Sequence, residues 1–235
     1  MTDLATIQFS GVTKTFPGRG GGSHTAVDDV DLLITTKSRL GIVGESGSGK
    51  STMVRMMVGL ESPSQGAVEF RGRPLDRMGR AGMKEFRREV QLVAQDTSSS
   101  FDPRRTLRDA IRRPALELLE LSTAEADEAV DATVASLQLD PSLTDRKPHQ
   151  VSGGQRQRFS IARALIVSPK IIICDEAVSA LDVSVQGSVL NLLKDHCERN
   201  EAGLVFVSHG LPATAFISEE LVVMYQGDIV ERGDT

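Results

Sequence analysis

One glycine-rich segment has the residue types and the spacing of a phosphate-binding loop. Residues 44–51 read GESGSGKS and fit the pattern G-x-x-x-x-G-K-[S/T], directly after a short apolar segment. In such a loop the glycines let backbone N–H groups point at phosphate oxygens, and the following helix start adds partial positive charge. Lys50 supplies a charge for the β- and γ-phosphates, and the Ser51 hydroxyl can bind Mg²⁺. The predicted nucleotide contacts are Gly44, Glu45, Ser46, Gly47, Ser48, Gly49, Lys50, Ser51 and the adjacent Thr52.

Two adjacent acids, Asp175 and Glu176, follow the apolar residues 171–174. Ligands of an open α/β sheet collect at the carboxyl ends of its strands, where both acids are expected to lie. Neighbouring strand positions point in opposite directions, so the two acids cannot share one task. Asp175 suits Mg²⁺, directly or through water, and Glu176 suits polarising an attacking water. Alone, the pair fits an acidic helix start equally well.

Two further polar residues follow strand-like segments. Gln95 comes after residues 90–94, and His209 comes after residues 204–207 and Ser208. Gln95 could reach the metal or the attacking water, and His209 could donate to the γ-phosphate or orient that water. Taken singly, a solvated loop position is the simpler interpretation of each. Their shared edge of the predicted sheet favours a catalytic one.

A second helix start also resembles an anion site. Ser152 can cap a helix over residues 155–167, and Gly153 and Gly154 leave the mouth of that helix free of side chains. No lysine accompanies it. We therefore expect a two-fold dimer in which Ser152, Gly153, Gly154 and Gln155 of each copy close over the nucleotide of the other. The alternative is simply a well-capped helix.

In their order along the chain, these segments resemble the ATP-binding subunits of ABC transporters. The resemblance covers essentially the whole chain and also includes residues 179–182 (SALD). It implies an ATP- and Mg²⁺-dependent ATPase that sandwiches nucleotide in a head-to-tail dimer. By this resemblance Glu176, His209 and Gln95 act in hydrolysis, and Ser51, Gln95 and Asp175 bind the metal. It also places Asp182 in a loop across the dimer interface and Phe16 against adenine, although a strand-end core position explains Phe16 equally well.

Several segments are similar to the oligopeptide, dipeptide and nickel importer branch of that family. They are residues 44–49, 102–104 (DPR), 148–150 (PHQ) and 173–186 (ICDEAVSALDVSVQ). Ala177 and Thr97 stand where prolines are usual, and Gly210 replaces an acid after the histidine. We expect the chemistry to survive these departures. The branch implies permease subunits, an extracytoplasmic solute-binding protein and a second ATP-binding subunit as partners, at the cytoplasmic face of the membrane.

The elements that must position these residues alternate between strand-like and helical patterns. Strand-like patterns cover residues 6–12, 26–34, 39–43, 90–94, 171–174, 204–207 and 221–224, and a helical one covers residues 183–199. This alternation predicts an α/β fold with a mostly parallel sheet between helices, and the resemblance implies a P-loop NTPase core with an N-terminal antiparallel portion. Residues 107–121 and 123–139 are purely helical, with Pro114 expected at a helix start. We predict a core of residues 1–95 and 168–235 and an inserted helical subdomain of residues 96–167.

Composition limits the remaining function classes. The 235 residues carry a net charge of −5, and no apolar run approaches the length of a membrane span, so membrane contact is expected only through partners. Cys174 is expected to be a small buried thiol in a reducing compartment. A soluble ABC-type assembly, for example in phosphonate breakdown, is the alternative to transport.

Two surface interpretations complete these expectations. The basic cluster Arg71, Arg73, Arg77, Arg80, Lys84, Arg87 and Arg88 is the only support for nucleic-acid binding. Acids interrupt that cluster, so a solvated face is favoured and no nucleic acid is expected. Residues 95–105 are expected to contact the membrane partner, with Phe101 either in that contact or in a local core.

Overall fold

The N-terminal part of the chain forms an antiparallel sheet. The computed structural model describes residues 5–18, 22–95, 100–178, 181 and 183–235. The strands of this sheet are β1 (Thr6–Pro17), β2 (Ser23–Thr35), β4 (Gln65–Phe70) and β5 (Arg73–Pro74), in the order β2–β1–β4–β5. β1 and β2 form a hairpin whose register shifts at several points; Phe16 lies opposite His24, and the pairing ends with Pro17 opposite Ser23.

The second sheet is parallel except at one edge. Its strands are β3 (Arg39–Gly44), β6 (Val90–Val93), β7 (Ile171–Asp175), β8 (Gly203–Val207), β9 (Glu220–Tyr225) and β10 (Asp228–Asp234). They lie in the order β10–β9–β3–β8–β7–β6, and only the β10–β9 pair is antiparallel. The other strands run in one direction. The segments that follow Gly44, Val93, Asp175 and Val207 therefore all leave the sheet at the carboxyl ends of the parallel strands.

The helices pack on this second sheet, and three of them follow one another as a continuous helical stretch. Those in the described residues are α1 (Lys50–Met57), α2 (Arg80–Glu89), α3 (Leu107–Leu118), α4 (Thr123–Ser136), α5 (Gly153–Leu165), α6 (Val183–Asn200) and α7 (Leu211–Ile217). Short 3₁₀ turns occur at Leu75–Arg77, Pro141–Asp145 and Pro148–Gln150. α3, α4 and α5 follow one another between β6 and β7, so the chain leaves the sheet, forms a helical layer and returns. In the part of the chain described, no helix combines the length and the apolar character needed to cross a bilayer.

Alternate residues of β7, which lies between β8 and the edge strand β6, are buried in two different cores. Ile171 and Ile173 are buried in a cluster with the antiparallel sheet and α1. Ile172 and Cys174 are buried in a second cluster, with α3 to α6. Successive side chains of a strand point to opposite faces, so an unbroken apolar run is what a strand covered on both faces requires. The predicted α/β fold class is confirmed.

The helix containing Pro114 corrects the sequence-based expectation. Pro114 lies inside α3, although we expected it at a helix start, and the helix ends at Leu118 rather than at residue 121. An internal proline costs about 3 kcal/mol. Leu107, Ile111 and Ala115 are fully buried on one face of this helix. Since each buried Leu or Ile contributes about 1.5–3 kcal/mol, tertiary packing outweighs the proline.

The remaining helix and strand boundaries differ from the predicted ones by a few residues. α4 ends at Ser136 rather than at residue 139, and β1 continues to Pro17. α5 starts at Gly153, so both glycines of the predicted helix mouth are in its first turn. Five elements were not predicted: β4, β5, β10, α2 and α7. The division into a core and a helical subdomain stays a prediction.

Two surface expectations can be compared with side-chain contacts. Phe101 is buried at 3% exposure, with the guanidinium of Arg163 4.7 Å from its ring centre, so the local-core interpretation describes it.

The basic cluster is partly neutralised by ion pairs. Arg71 contacts Glu85 and Glu89 at 2.6 and 2.8 Å, Arg73 contacts Glu85 at 3.2 Å, and Lys84 pairs with Glu120. These pairs weaken the one observation that supported nucleic-acid binding.

The two thiols are expected to be unreactive in the folded chain. Cys174 and Cys197 are both fully buried. Burial raises the pKa of Cys174 far above its ordinary value and raises the pKa of Cys197 to about 11, so neither forms the reactive thiolate near neutral pH. An aromatic disulfide reagent should therefore release no chromophore from the native protein, and two equivalents after unfolding in guanidinium. Ser136→Cys, at an exposed helix end, is the positive control; rapid native reaction of the parent would contradict this burial.

Candidate functional site

The loop between β3 and α1 follows a backbone path that requires glycine. Gly49 immediately precedes α1 with φ of 105°, and a Cβ there would lie 2.1 Å from the carbonyl oxygen of Ala26. Gly47 also has a positive φ, of 81°. Both conformations are unfavourable for residues with a side chain. The sequence pattern of the loop therefore corresponds to local backbone geometry at the start of a helix.

Lys50 holds this loop together from within. Its side-chain Nζ donates to the carbonyl oxygens of Gly44 at 2.8 Å and Glu45 at 2.7 Å, and to Ser48 Oγ at 3.3 Å. The residue is only 5% exposed. Burial lowers the pKa of Lys50, and the nearby carboxylates of Glu176 and Asp175 oppose that shift. The ammonium thus has oxygen partners that phosphate oxygens could replace.

Glu176 lies at the centre of the polar groups at the sheet edge. It follows β7, is 8% exposed, and has a φ of 50°. Its backbone N–H donates to Val207 at 2.8 Å, which ties the start of the turn to β8. Gln95 Nε2 donates to one carboxylate oxygen of Glu176, and His209 Nε2 pairs with the other. The structure therefore brings the three predicted catalytic side chains into direct contact.

Asp175 has an electrostatic environment different from that of an isolated carboxyl. Burial is the main cause that raises its pKa, and the charge of Glu176 raises it further. Lys50 and Arg55 act in the opposite direction. Two adjacent acids with an unfavourable mutual interaction suit a site that a divalent cation completes.

The predicted metal ligands fit Mg²⁺ better than a softer metal, although Asp175 does not line the cavity that Ser51 and Gln95 line. The predicted ligands are the Ser51 hydroxyl, the Gln95 amide oxygen and the Asp175 carboxylate, all of them hard oxygen donors. Ser51 and Gln95 line the same cavity. No cluster of three or more His, Cys, Asp or Glu side chains in the described residues could hold a metal without such additional ligands.

An open cavity of about 390 Å³ collects most of the predicted residues. It is lined by Phe16, His24, Ala26, Ser46, Gly47, Gly49, Lys50, Ser51, Thr52, Gln95, Glu176 and His209. Gly44, Glu45 and Ser48 are in the loop but not in this lining. His24 and Ala26 were not predicted. They face the cavity because β2 pairs with β1, and the shifts in that pairing cannot be read from sequence.

Phe16 occupies the rim of this cavity. It is half-buried rather than part of either hydrophobic cluster, and the Lys14 ammonium lies 5.0 Å from its ring centre. Lys14 is itself fixed by Ser62 at 2.8 Å and by an ion pair with Glu61. An exposed aromatic face at the cavity is compatible with base stacking, which stays a prediction.

The serine–glycine segment, residues 152–155, lies outside the cavity lining. Ser152 Oγ accepts from Gln155 N–H at 3.2 Å, and Gln155 Oε1 accepts from Ser152 N–H at 3.0 Å, which confirms the helix cap. Ser152 and Gly153 are exposed. A Cβ at Gly153 would have no atom within 4 Å among the described residues. Nothing in the described fold therefore requires glycine at this position.

One predicted contact residue lies outside the described residues. It is Asp182. Leu181, immediately before it, is buried, and a Cβ at Gly154 would lie 3.6 Å from Leu181 Cδ2. The loop after Glu176 therefore reaches the start of α5.

Comparison with known proteins shows close relatives. A family profile described as ABC transporter matches residues 27–179. The chain is 42% identical over 213 residues to the nickel import ATP-binding protein NikE of Escherichia coli, covering 90% of this chain and 80% of that protein. It is 43% identical over 210 residues to the oligopeptide transport ATP-binding protein OppF of Haemophilus influenzae, covering 88% and 63%. A dimeric ATP-binding cassette in a post-hydrolysis state with ADP and Pi superimposes with a TM-score of 0.89 at 28% identity, covering 97% and 98% of the two chains.

Replacing Asp175 by asparagine should stabilise the chain while impairing the site. An acid whose folded pKa lies above its unfolded value costs stability when it is ionised, and that cost disappears as pH falls below the ordinary Asp pKa of about 3.9. Asp175→Asn should therefore raise the unfolding temperature at neutral pH, and the gain should shrink toward acidic pH. Calorimetry of the parent and the variant across pH measures this.

The control for that comparison is Asp76→Asn, at an exposed carboxyl away from the cavity. Added MgATP should stabilise the parent and the control more than Asp175→Asn, because ligand binding to the folded form raises stability. A lower unfolding temperature for Asp175→Asn at neutral pH would contradict the proposed cost of ionising Asp175, which arises mainly from burial.

Proposed function

Because the chain belongs to the ABC transporter family, we propose that it is the ATP-hydrolysing motor subunit of an importer. It is an ATPase of the ABC type. The observation that carries the mechanism is the contact of Glu176 with both Gln95 and His209 at the wall of the cavity that the phosphate loop lines. No other cavity wall in the described residues joins a phosphate loop to these three groups.

Within one subunit, the residues divide the work of binding and hydrolysis. Backbone N–H groups of residues 46–51 and the Lys50 ammonium hold the phosphates, with phosphate oxygens taking the place of the loop carbonyls that Lys50 now contacts. Phe16 stacks on the adenine, and Thr52 completes the lining beside Ser51. Mg²⁺, when bound by Ser51, Gln95 and Asp175, neutralises developing phosphate charge.

Glu176 accepts the proton of the attacking water. A carboxylate offers about four acceptor positions, so Glu176 can accept from the water while its two oxygens contact Gln95 and His209. His209, whose side chain is about half exposed, orients the water or the γ-phosphate. Gln95 contacts this base through its amide nitrogen, which leaves its amide oxygen for the metal.

The second half of each site comes from another subunit in this proposal. The start of α5 has an exposed serine and an exposed glycine, and it is absent from the lining of the cavity that holds the phosphate loop. A head-to-tail dimer supplies the missing contact: residues 152–155 and Asp182 of one copy face the nucleotide of the other. ATP then closes the dimer because it binds the closed arrangement more tightly.

The solute and the other partners follow from the relatives. NikE is named for nickel import and OppF for oligopeptide transport. We propose peptides, nickel or a similar small solute as the cargo, with permease subunits and an extracytoplasmic solute-binding protein as partners at the cytoplasmic face of the membrane. Recovery of the native protein with a membrane permease from detergent extracts would support this assignment. Recovery only with soluble enzymes would favour the alternative, a non-transport assembly.

Glu176→Gln should separate ATP binding from turnover. The amide keeps the shape of the side chain but cannot accept a proton, so hydrolysis should fall by about a hundredfold or more. ATP should still bind, and a dimer should accumulate on size-exclusion chromatography with light scattering. Glu120→Gln, at an exposed carboxyl paired with Lys84, is the control and should hydrolyse ATP like the parent. Normal turnover of Glu176→Gln would show that Glu176 is not the base.

A bulky residue at Gly153 should impair only the assembled site. A Cβ at Gly153 would have no atom within 4 Å in the described fold, so we expect Gly153→Leu to keep the unfolding temperature and the monomer ATP affinity near those of the parent. The ATPase rate should fall at least about tenfold because the side chain obstructs the facing nucleotide. Gly79→Leu also changes an unobstructed glycine at a helix start, so it is the matched control. A large loss of ATP affinity in the Gly153→Leu monomer would contradict the proposal that this segment contacts the nucleotide of the other copy.

A further inference from the structure

The side chain of Gln186 folds back from the first turn of α6 onto the preceding segment. Its Nε2 donates to the carbonyl oxygens of Val178 at 3.0 Å and Leu181 at 2.9 Å. Both partners are acceptors, so the amide nitrogen must be the group that faces them, and both of its hydrogens are used. The Leu181 N–H also donates to Val178 at 3.1 Å. Gln186 thus closes the turn between residues 178 and 181 onto α6.

The other end of this segment is fixed to the sheet. The Glu176 N–H donates to Val207 in β8, and Glu176 has a positive φ, so the chain turns sharply there. A carboxylate that contacts Gln95 and His209 therefore lies at one end of the segment, and the Gln186 amide holds the other end. Val178, between them, is 2% exposed in the helical cluster.

The same segment packs against the start of α5. A Cβ at Gly154 would lie 3.6 Å from Leu181 Cδ2 and 3.9 Å from Val185 Cγ1. Leu181 supplies one of the two carbonyls that Gln186 holds, and Val185 is the neighbour of Gln186 in α6. A displacement of this turn would therefore change the packing against residues 152–155.

We propose that Gln186 is a positioning residue for hydrolysis. It sets the turn that places Glu176 in its own nucleotide site and supports the serine–glycine segment that completes the site of the partner copy. The inference rests on the proposed function, because it assumes that both half-sites belong to one ATPase cycle. Without the amide, the Val178 and Leu181 carbonyls each lose one hydrogen bond, and the turn is free to shift.

Three single variants test the role of Gln186. Gln186→Met has a similar shape but no donor, and Gln186→Glu places a carboxyl against two carbonyl oxygens. The matched control is Asn200→Asp, because Asn200 Nδ2 also donates to a backbone carbonyl in α6, that of His196 at 2.8 Å. All three lose an amide donor from the same helix, but only the first two alter the turn.

We expect kcat of the full-length chain to fall roughly ten- to hundredfold in Gln186→Met, since small displacements of reacting groups have effects of this size. The ATP affinity of the monomer should change less than about threefold, because Gln186 does not line the cavity. Asn200→Asp should keep the parental kcat. Equal kcat values for Gln186→Met and the parent would overturn the proposal, as would equal losses in Gln186→Met and Asn200→Asp.

The pH profile separates a positioning role from general destabilisation. The carboxyl introduced by Gln186→Glu faces two carbonyls, so its protonated form is favoured and can donate one hydrogen bond. Relative to the parent, the kcat of Gln186→Glu should therefore rise as pH falls, while that of Gln186→Met should not depend on pH. A pH-independent deficit in both variants would contradict the inference.

A background of Glu176→Gln distinguishes failure of this inference from failure of the proposed function. If Glu176→Gln accumulates a dimer with ATP, then adding Gln186→Met should reduce the dimer fraction at the same ATP concentration. An unchanged fraction would overturn the role of Gln186 alone. Absence of any dimer in Glu176→Gln would overturn the proposed function, and with it the premise of this inference.

Discussion

The parallel pairing of β3, β8, β7 and β6 is the constraint on which the site depends. Parallel strands all finish at the same end of the sheet. Four segments therefore meet there although no sequence motif links them: the loop after Gly44, the acids after Cys174 and the residues after Val93 and Val207. This pairing is possible because every residue of β8 and the first four residues of β7 are buried, with helices and a second sheet to cover both faces. A site assembled from four sequence-distant segments is thus a consequence of core packing.

Charge at this edge is arranged for a ligand rather than for stability. Lys50 is buried and satisfied by loop carbonyls, while burial and Glu176 both raise the pKa of Asp175. Such an arrangement is tolerated because the hydrophobic clusters on the two faces of the sheet hold the backbone in place. Polyphosphate and a divalent cation would add the missing opposite charges, so binding and folding make different demands on the same residues.

Two glycines differ in what their own chain requires of them. Gly49 is required by its own chain, because any side chain there would collide with the Ala26 carbonyl. A Cβ at Gly153 would have no described atom within 4 Å, and the φ of Gly153 is not in the left-handed region. Its own chain therefore supplies no reason for glycine there. The contrast supports a role for Gly153 toward a surface that the single chain lacks. Residues 152–155 do not line the cavity that the phosphate loop lines.

The sequence by itself determined the phosphate loop, the cap at Ser152, the two acids at the end of β7 and the α/β class, because each depends on local backbone geometry or on the period of buried residues. It did not determine the elements β4, β5, β10, α2 and α7, whose patterns are short or depend on pairing partners. Only the tertiary structure decided that His24 faces the cavity, that Pro114 lies within a helix and that Gln186 holds the turn after Glu176. Strand register, core packing and side-chain hydrogen bonds join residues that are distant in the sequence, or join a side chain to a turn that precedes it. No local sequence pattern encodes these contacts.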